Sequence, residues 1–207
     1  MASSTTYHCL YLVDCVARDV HQVHVETGTS TTWPVNDDPW GISVTYSNDV
    51  VITCDEARKL KIFSPFGNLL REILLYPDVM NPCHGVETVG ENFVVCHGAE
   101  TDAVRRVCLI AADGRPGISY SREMERGVMK PCHLAVDRDG FMFVADATGT
   151  VLMLSPKLGY MWEVASPGSD HKWKPWRLCI AGQRLYVADN EFVDGKWTAG
   201  RVVVFDL

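Results

Sequence analysis

The residues best suited to chemistry in this chain recur at one place, two residues after a proline. His84, His133 and Arg177 stand there in three segments, and Gly41 stands there in a fourth. Imidazole and guanidinium groups around one centre can bind an anion, and with a third ligand they can hold a metal. The alternative is that these side chains hydrogen-bond neighbouring loops. The spacing of the prolines determines whether the four residues meet.

The prolines that lead these segments form a regular repeat. They lie 43 to 49 residues apart, at Pro39, Pro82, Pro131 and Pro175. Each is followed by a short apolar run that ends in a small or polar residue, and a fifth such run upstream ends at Asp14. A period in the forties, with β-branched residues and Gly/Pro turns, is typical of a β-propeller with one blade per repeat.

Each repeat has the pattern of a four-stranded antiparallel sheet. In the unit that starts at Pro131, short turns separate four predicted strands at 132–137, 141–145, 150–154 and 160–164. No stretch has a sustained helical period, so almost no helix is expected. The predicted fold class is all-β, a single propeller domain of about five blades. Its repeat units cover residues 7–38, 39–81, 82–130, 131–174 and 175–207.

The first and last units contain fewer predicted strands than a full blade. Three strands are predicted in each, and the innermost strand of the first unit is missing unless residues 3–7 supply it. An incomplete sheet exposes unpaired backbone and apolar surface. We therefore expect either further residues upstream or another chain that covers the gap, which predicts self-association through the terminal blades.

Composition and charge restrict the class of protein. The net charge is −7 and the isoelectric point is about 5.4, which argues against a broadly basic nucleic-acid face. The N-terminal sequence has no signal-peptide pattern, and no apolar run approaches the roughly 20 residues of a membrane span. No membrane association is predicted.

The eight cysteines have the pattern of packed, reduced thiols. None forms a Cys-x-x-Cys pair, and Cys54 and Cys96 stand where Ala145 and Ala188 stand in other repeats. Cysteine at such places acts as a small buried apolar residue. Reduced thiols predict an intracellular, cytoplasmic protein.

Acidic residues close the second strand of most repeats, at Asp14, Asp55, Asp146 and Asp189. A short carboxylate there can accept hydrogen bonds from backbone N–H groups of the following turn, so we assign these residues a structural role. The chain has no Gly-x-Ser-x-Gly elbow, phosphate loop or His-Glu-x-x-His motif. No catalytic residue, metal site or cofactor is predicted, and the chain is not expected to be an enzyme.

Aromatic residues accompany the proline-led positions. Trp40 and Trp176 directly follow their prolines, and Phe192 and Trp197 lie in a connection over 191–199 that departs from the repeat. Indoles at such places either pack between blades or present a stacking surface to a ligand. The predicted binding surface contains the following seven residues: Trp40, His84, His133, Trp176, Arg177, Phe192 and Trp197.

The repeat resembles that of the NHL family. The segment from Pro131 to Gly159 carries most of its pattern, and the segments 185–190 and 200–206 resemble the closing repeat of the C-terminal propeller in invertebrate tripartite-motif (TRIM-NHL) proteins. The departures are His97 in place of the acidic residue, an insertion of about six residues after it, and fewer repeats than the usual six blades. RING, B-box and coiled-coil segments are absent, so no ubiquitin transfer is expected in this chain.

The resemblance implies a binding platform, such as the substrate-recognition module of a ubiquitin ligase. A protein partner is the first hypothesis and predicts binding that depends weakly on salt. RNA binding is the alternative and predicts a steep salt dependence with a continuous basic face. A metal-dependent propeller hydrolase or lyase is the third, and it requires ligands gathered around the axis.

Overall fold

A computed structural model describes residues 1–98, 105–120, 130–165, 174–193 and 196–207, with the backbone alone over residues 190–193 and 196–199. These residues form nineteen strands in five antiparallel sheets, each built from consecutive strands. The first blade contains β1 (Ala2–Ser4), β2 (Cys9–Asp14), β3 (Asp19–His24) and β4 (Ser30–Pro34). The second contains β5 (Pro39–Val44), β6 (Val50–Cys54), β7 (Lys59–Phe63) and β8 (Leu69–Leu74).

The remaining three blades follow the same order. The third contains β9 (His84–Thr88), β10 (Asn92–His97), β11 (Arg106–Ile110) and β12 (Pro116–Tyr120). The fourth contains β13 (Pro131–Val136), β14 (Met142–Asp146), β15 (Thr150–Leu154) and β16 (Tyr160–Ala165). The fifth contains β17 (Pro175–Ala181), β18 (Arg184–Val193) and β19 (Lys196–Asp206). The architecture is a five-bladed β-propeller, which confirms the predicted fold class.

Apolar residues on both sides of the sheets hold successive blades together. Four buried clusters lie between neighbouring blades, centred on Tyr11, Leu60, Val94 and Phe143. The second strands β6 and β14 are mostly apolar and fully buried, because both of their faces are covered by neighbouring blades. No described residue is helical, and none of the described segments offers a helix that is long and apolar enough to cross a bilayer.

The turn between β13 and β14 shows how the sequence positions these strands. The Asp137 carboxylate accepts hydrogen bonds from the backbone N–H groups of Asp139, at 3.0 Å, and Phe141, at 2.8 Å. Gly140 has a φ of 83°, a conformation that glycine adopts without strain. This local chemistry fixes the hairpin and so the register of the inner strand.

The ends of the chain differ from the predicted pattern. Ala2–Ser4 pairs with β2 and supplies the innermost strand of the first blade, which therefore begins ahead of the predicted start at residue 7. The predicted connection over 191–199 is instead an extension of β18 and β19 into a long hairpin, in which the backbones of Phe192 and Trp197 are paired. In the described ranges the fifth blade has three strands, as predicted.

Apolar side chains are exposed on the two terminal blades. The positions equivalent to Val202 in the other blades are Val20, Leu60, Val107 and Val151. All four are fully buried, whereas Val202 is 63% exposed. Leu12 on the first blade is 37% exposed, whereas its equivalent Val144 is fully buried. Among the described residues no buried apolar cluster joins the fifth blade to the first, and self-association through these blades stays a prediction.

Candidate functional site

The inner strands of four blades begin on one face of the propeller, which we call the proline face. β5, β13 and β17 start at a repeat proline, and β9 starts at His84, two residues after Pro82. The predicted set Gly41, His84, His133 and Arg177 is brought together here by equivalent places in these strands. The four residues nevertheless have three different roles.

Gly41 allows the second and third blades to approach closely. A Cβ atom at this position would lie 2.6 Å from the carbonyl oxygen of Cys83 and 3.0 Å from the Cα atom of His84. Both atoms belong to the backbone of the neighbouring inner strand and cannot move aside without shifting it. Gly41 therefore has no room for the side chain that its repeat equivalents carry.

His84 connects three blades through its ring. The backbone N–H of Leu134 in the fourth blade donates to Nδ1, with an N···N distance of 3.3 Å. The proton of the neutral ring is then on Nε2, which lies 3.3 Å from the carbonyl oxygen of Ile42 in the second blade and donates to it. Both ring nitrogens are used, so the contacts that the structure shows for His84 are between blades.

His133 repeats this arrangement one blade further on. Its Nδ1 accepts a hydrogen bond from the backbone N–H of Leu178 in the fifth blade, at 3.2 Å. The rings of His84 and His133 stack with 3.8 Å between their centroids. Both residues are buried beneath the surface of the proline face. The contacts that the structure shows for both histidines are therefore between blades, and their direct binding of a ligand stays a prediction.

Burial keeps these histidines neutral. It lowers the pKa of His84 to about 3 and that of His133 well below the ordinary value of 6.5. Burial also lowers the pKa of His97 to about 4. A protonated ring carries a hydrogen on Nδ1 as well as on Nε2, so Nδ1 could no longer accept the hydrogen bonds from the N–H groups of Leu134 and Leu178.

We expect the propeller to lose stability as the pH falls from 6.5 towards 4. The unfolded chain takes up protons on these histidines below pH 6.5 while the folded chain does not, so acid favours unfolding. Each such histidine adds a slope of up to about 1.4 kcal/mol per pH unit. Urea unfolding at pH 7 and pH 5 measures this effect. Equal free energies of unfolding at the two pH values would contradict the assignment of neutral, buried rings.

A cavity of about 520 Å³ opens on the proline face, and Cys83 and Cys132, which directly precede the two histidines, are among its lining residues. We call it the proline-face cavity and define it by the residues that line it. Four are cationic, namely Arg105, Lys130, Lys174 and Arg177. The others include the indoles Trp40 and Trp176, the thiols Cys83 and Cys132, and Asp55. The structure thus brings together Trp40, Trp176 and Arg177 of the predicted binding surface at one cavity.

The two tryptophans are presented to solvent. Trp40 is 52% exposed and Trp176 is 38% exposed. The predicted alternative, burial between blades, therefore describes only part of each side chain. The Arg177 guanidinium lies 5.1 Å from the centre of the Trp176 ring, and its Nη1 donates to the Trp176 carbonyl oxygen at 2.9 Å. This stacking restricts both side chains before any ligand binds.

Cysteines replace tryptophan at the other two proline-led positions. The Cys132 thiol points to carbonyl oxygens of its own blade and of the next, at 3.4 Å from Ala145 and 3.5 Å from Pro175. A hydrogen bond with the Cys96 thiol lowers the pKa of Cys83 against the effect of burial, and the charges of Arg105 and Arg177 act in the same direction. All eight cysteines are free, and Cys96 is fully buried at the position of Ala145, as predicted. Cys54 is also fully buried, but the strand pairing places it at the position of Asp146 rather than that of Ala145.

Asp14 and Asp146 have the predicted role at the strand ends, which is to bind the turn that follows. Asp14 accepts hydrogen bonds from the backbone N–H groups of the following turn, at 2.8 Å, and Asp146 accepts one from Thr148 at 3.0 Å. Asp146 and Asp189 also bind the backbone N–H of the residue before the repeat proline. These carboxylates are therefore used by the fold.

Asp55 is the exception. The Asp38 carboxylate instead accepts hydrogen bonds from the backbone N–H groups of Glu56 and Ala57 in the following turn. The Oδ1 atom of Asp55 is buried and has no hydrogen-bond partner within the described residues. Burial raises the pKa of Asp55, and the nearby Asp38 and Glu56 add to the effect. The turn prediction was wrong for this residue because Pro39 pairs with Cys54 where Pro131 pairs with Asp146, so Asp55 lies one residue beyond the position of Asp146.

The remaining predicted residues do not add side chains to the described site. The backbones of Phe192 and Trp197 pair in the long hairpin, and their side chains lie outside the described residues. Sequence reasoning did not include Lys130 or Lys174 in the predicted binding surface. Both residues directly precede a repeat proline, as Asn81 does, and all three line the cavity. The repeat position was the signal that could have found them.

The opposite face of the propeller has a different character. A second cavity of about 590 Å³ there is lined by Arg138 together with Asp137 and Asp139, so its charges are mixed. The Tyr46 hydroxyl donates across the ring to the carbonyl oxygen of Asp137 at 3.0 Å. Throughout the described part of the chain, no three His, Cys, Asp or Glu residues are arranged to hold a metal ion.

Comparisons with known proteins place the fold but not the family. No family model and no curated protein matches the chain. Among solved structures, all of this chain aligns with 74% of a chain in a nidogen/laminin complex, at a TM-score of 0.72 and 17% identity. A hydrazine synthase from Kuenenia stuttgartiensis aligns with 92% of this chain, at a TM-score of 0.66 and 15% identity. A streptogramin B lyase aligns with 98% of this chain, at a TM-score of 0.64 and 11% identity. The chain spans 63% and 66% of the lengths of the last two chains.

Proposed function

We propose that this propeller is a non-enzymatic binding platform that takes up a protein partner at the proline-face cavity. The observation that carries the proposal is the pair of half-exposed indoles, Trp40 and Trp176, beside a guanidinium on the first residues of rigid inner strands. Aromatic and arginine side chains in a concave site are the usual anchors of protein interfaces. The fold alone assigns no function.

The structure of the site supports pre-organisation. Trp40 and Arg177 stand on strands whose neighbours are fixed by the hydrogen bonds of His84 and His133. A ligand that enters such a site loses less free energy to ordering the protein than one that binds a mobile loop. We infer from the repeat pattern that the chain serves as the recognition module of a TRIM-NHL-like protein and works in the cytoplasm, where its eight free thiols stay reduced.

RNA binding is the second candidate function. The four cationic residues that line the cavity favour it, because Lys and Arg bind the phosphates of single strands and indoles stack on bases. The net charge of −7 counts against it. The two candidates differ in salt dependence, because the affinity of a ligand that makes many phosphate contacts falls steeply as the salt concentration rises.

Capture of partners from extract of the source cells tests the proposal. The double variant Trp40→Ala/Trp176→Ala is expected to capture about tenfold less partner protein than the unchanged chain, because the two indoles supply the main contact area. Trp162→Ala is the matched control, since Trp162 is 51% exposed on the outer strand β16 and lies away from the cavity. Cross-linking at two salt concentrations, with and without ribonuclease, separates protein from RNA. Equal capture by the double variant and the control would contradict the proposal.

A further inference from the structure

Arg177 is a charged side chain with no counter-ion among the residues that the structure describes. Among the described residues no carboxylate lies within ion-pair distance of its guanidinium, whose only described hydrogen bond goes to the carbonyl oxygen of Trp176. Burial lowers the pKa of Arg177, and the groups that oppose this effect are the thiols of Cys132, Cys83 and Cys15 rather than acids. A partly desolvated cation gains free energy when an anion pairs with it.

The acidic residues nearest to the proline-face cavity do not supply that anion. Asp146 and Asp189 are buried and accept the backbone N–H groups of Lys130 and Lys174, and Asp189 also pairs with the Arg201 guanidinium at 2.9 Å. Asp55 is the one acid that lines the cavity in the described part of the chain, and burial raises its pKa. Among the described residues that line the cavity, cationic side chains therefore outnumber carboxylates, in a protein that is negative overall.

The indoles set the second requirement for a ligand. Trp40 and Trp176 flank the cationic groups and expose apolar area on the same face. A simple inorganic anion would leave that area in water, whereas a peptide can cover it with an apolar side chain. The ligand that satisfies both requirements carries a carboxylate next to an apolar residue.

We infer that the proline-face cavity binds an acidic segment of a protein, with its carboxylate on Arg177 and Lys130 and its apolar side chain against the indoles. This inference rests on the proposed function and names the chemistry of its partner. A carboxylate on a guanidinium forms a charge-assisted, bidentate hydrogen-bond pair that fixes the orientation of the segment. A phosphorylated side chain offers the same anionic chemistry, so the test includes both.

Fluorescence anisotropy with labelled octapeptides measures their affinity for the propeller and so tests the inference directly. The probes carry two aspartates between leucines, two asparagines in the same places, or two phosphoserines, and labelled oligouridylate is a fourth probe. The aspartate or phosphoserine peptide is expected to bind about tenfold or more tightly than the asparagine peptide. Arg177→Gln and Lys130→Gln should each remove most of that difference. Arg138→Gln, at the cavity on the opposite face, is the matched control and should leave it unchanged.

The outcomes separate this inference from the proposed function. Equal binding of the aspartate and asparagine peptides, no binding of any peptide, or unchanged binding by Arg177→Gln and Lys130→Gln would overturn the inference. Tighter binding of oligouridylate than of every peptide would overturn it in favour of RNA. If capture from extract still depends on Trp40 and Trp176 in those cases, the proposed function stands without the anionic ligand. Because Lys130 is exposed, its variant remains informative if Arg177→Gln unfolds.

Discussion

Replacing His84 by alanine is expected to lower the free energy of unfolding by about 2–4 kcal/mol, because two buried backbone groups lose their partners and a cavity forms. The groups are the N–H of Leu134 and the carbonyl oxygen of Ile42, which belong to the blades on either side. The stacked ring of His133 also loses its neighbour. Urea unfolding followed by tryptophan fluorescence at pH 7 measures the change.

An exposed histidine provides the control for this variant. The side chain of His8 is 61% exposed and lies 3.5 Å from Glu26 at the surface. Surface substitutions of this kind change stability by about 0.5 kcal/mol or less. If His84→Ala and His8→Ala were equally stable, His84 would not connect the blades as described, and a role in ligand binding would regain support.

Gly41→Ala is expected to have a comparable effect, a loss of about 3 kcal/mol, because the added Cβ overlaps backbone atoms rather than a flexible side chain. The carbonyl oxygen of Cys83 lies 2.6 Å from that position. The inner strands β5 and β9 would have to move apart, which also lengthens the bond from His84 to Ile42. Thermal unfolding of the variant measures the loss.

The control for Gly41→Ala is Gly28→Ala. Gly28 has a positive φ of 67°, so its substitution brings strain, but a Cβ there meets no atom within 4 Å. The difference between the two variants isolates the steric overlap between the blades. A Gly41→Ala variant as stable as Gly28→Ala would show that the second and third blades are not held at the distance described.

The sequence predicted the blades well because each strand is defined locally. In the fourth blade the predicted strand at 150–154 coincides with β15, and the others agree to within one residue at each end. Apolar runs buried on both faces and glycine or aspartate turns specify such strands without long-range information. The repeat also located the proline face, where Trp40, Trp176 and Arg177 meet at one cavity.

The features that the sequence did not predict depend on tertiary packing. Ala2–Ser4 has no apolar alternation, and it is a strand because it pairs with the edge of β2 that β3 leaves open. Equivalent repeat positions did not imply equivalent roles. His84 and His133 bind neighbouring strands, whereas Arg177 lines the cavity. Gly41 has no side chain because the neighbouring backbone leaves no room for one. Which way a side chain points at a shared backbone position is set by its neighbours, and the repeat alone does not contain that information.

Nuclear magnetic resonance of the indole N–H groups tests the central claim most directly. The chain contains six tryptophans, so the spectrum reports six sites at once, and the protein of 23.1 kDa is within the range of the method. On titration with the partner captured from extract, the resonances of Trp40 and Trp176 should shift or broaden first, while that of Trp162 stays in place. Shifts confined to Trp162, with Trp40 and Trp176 unchanged at saturation, would show that the partner binds elsewhere on the propeller.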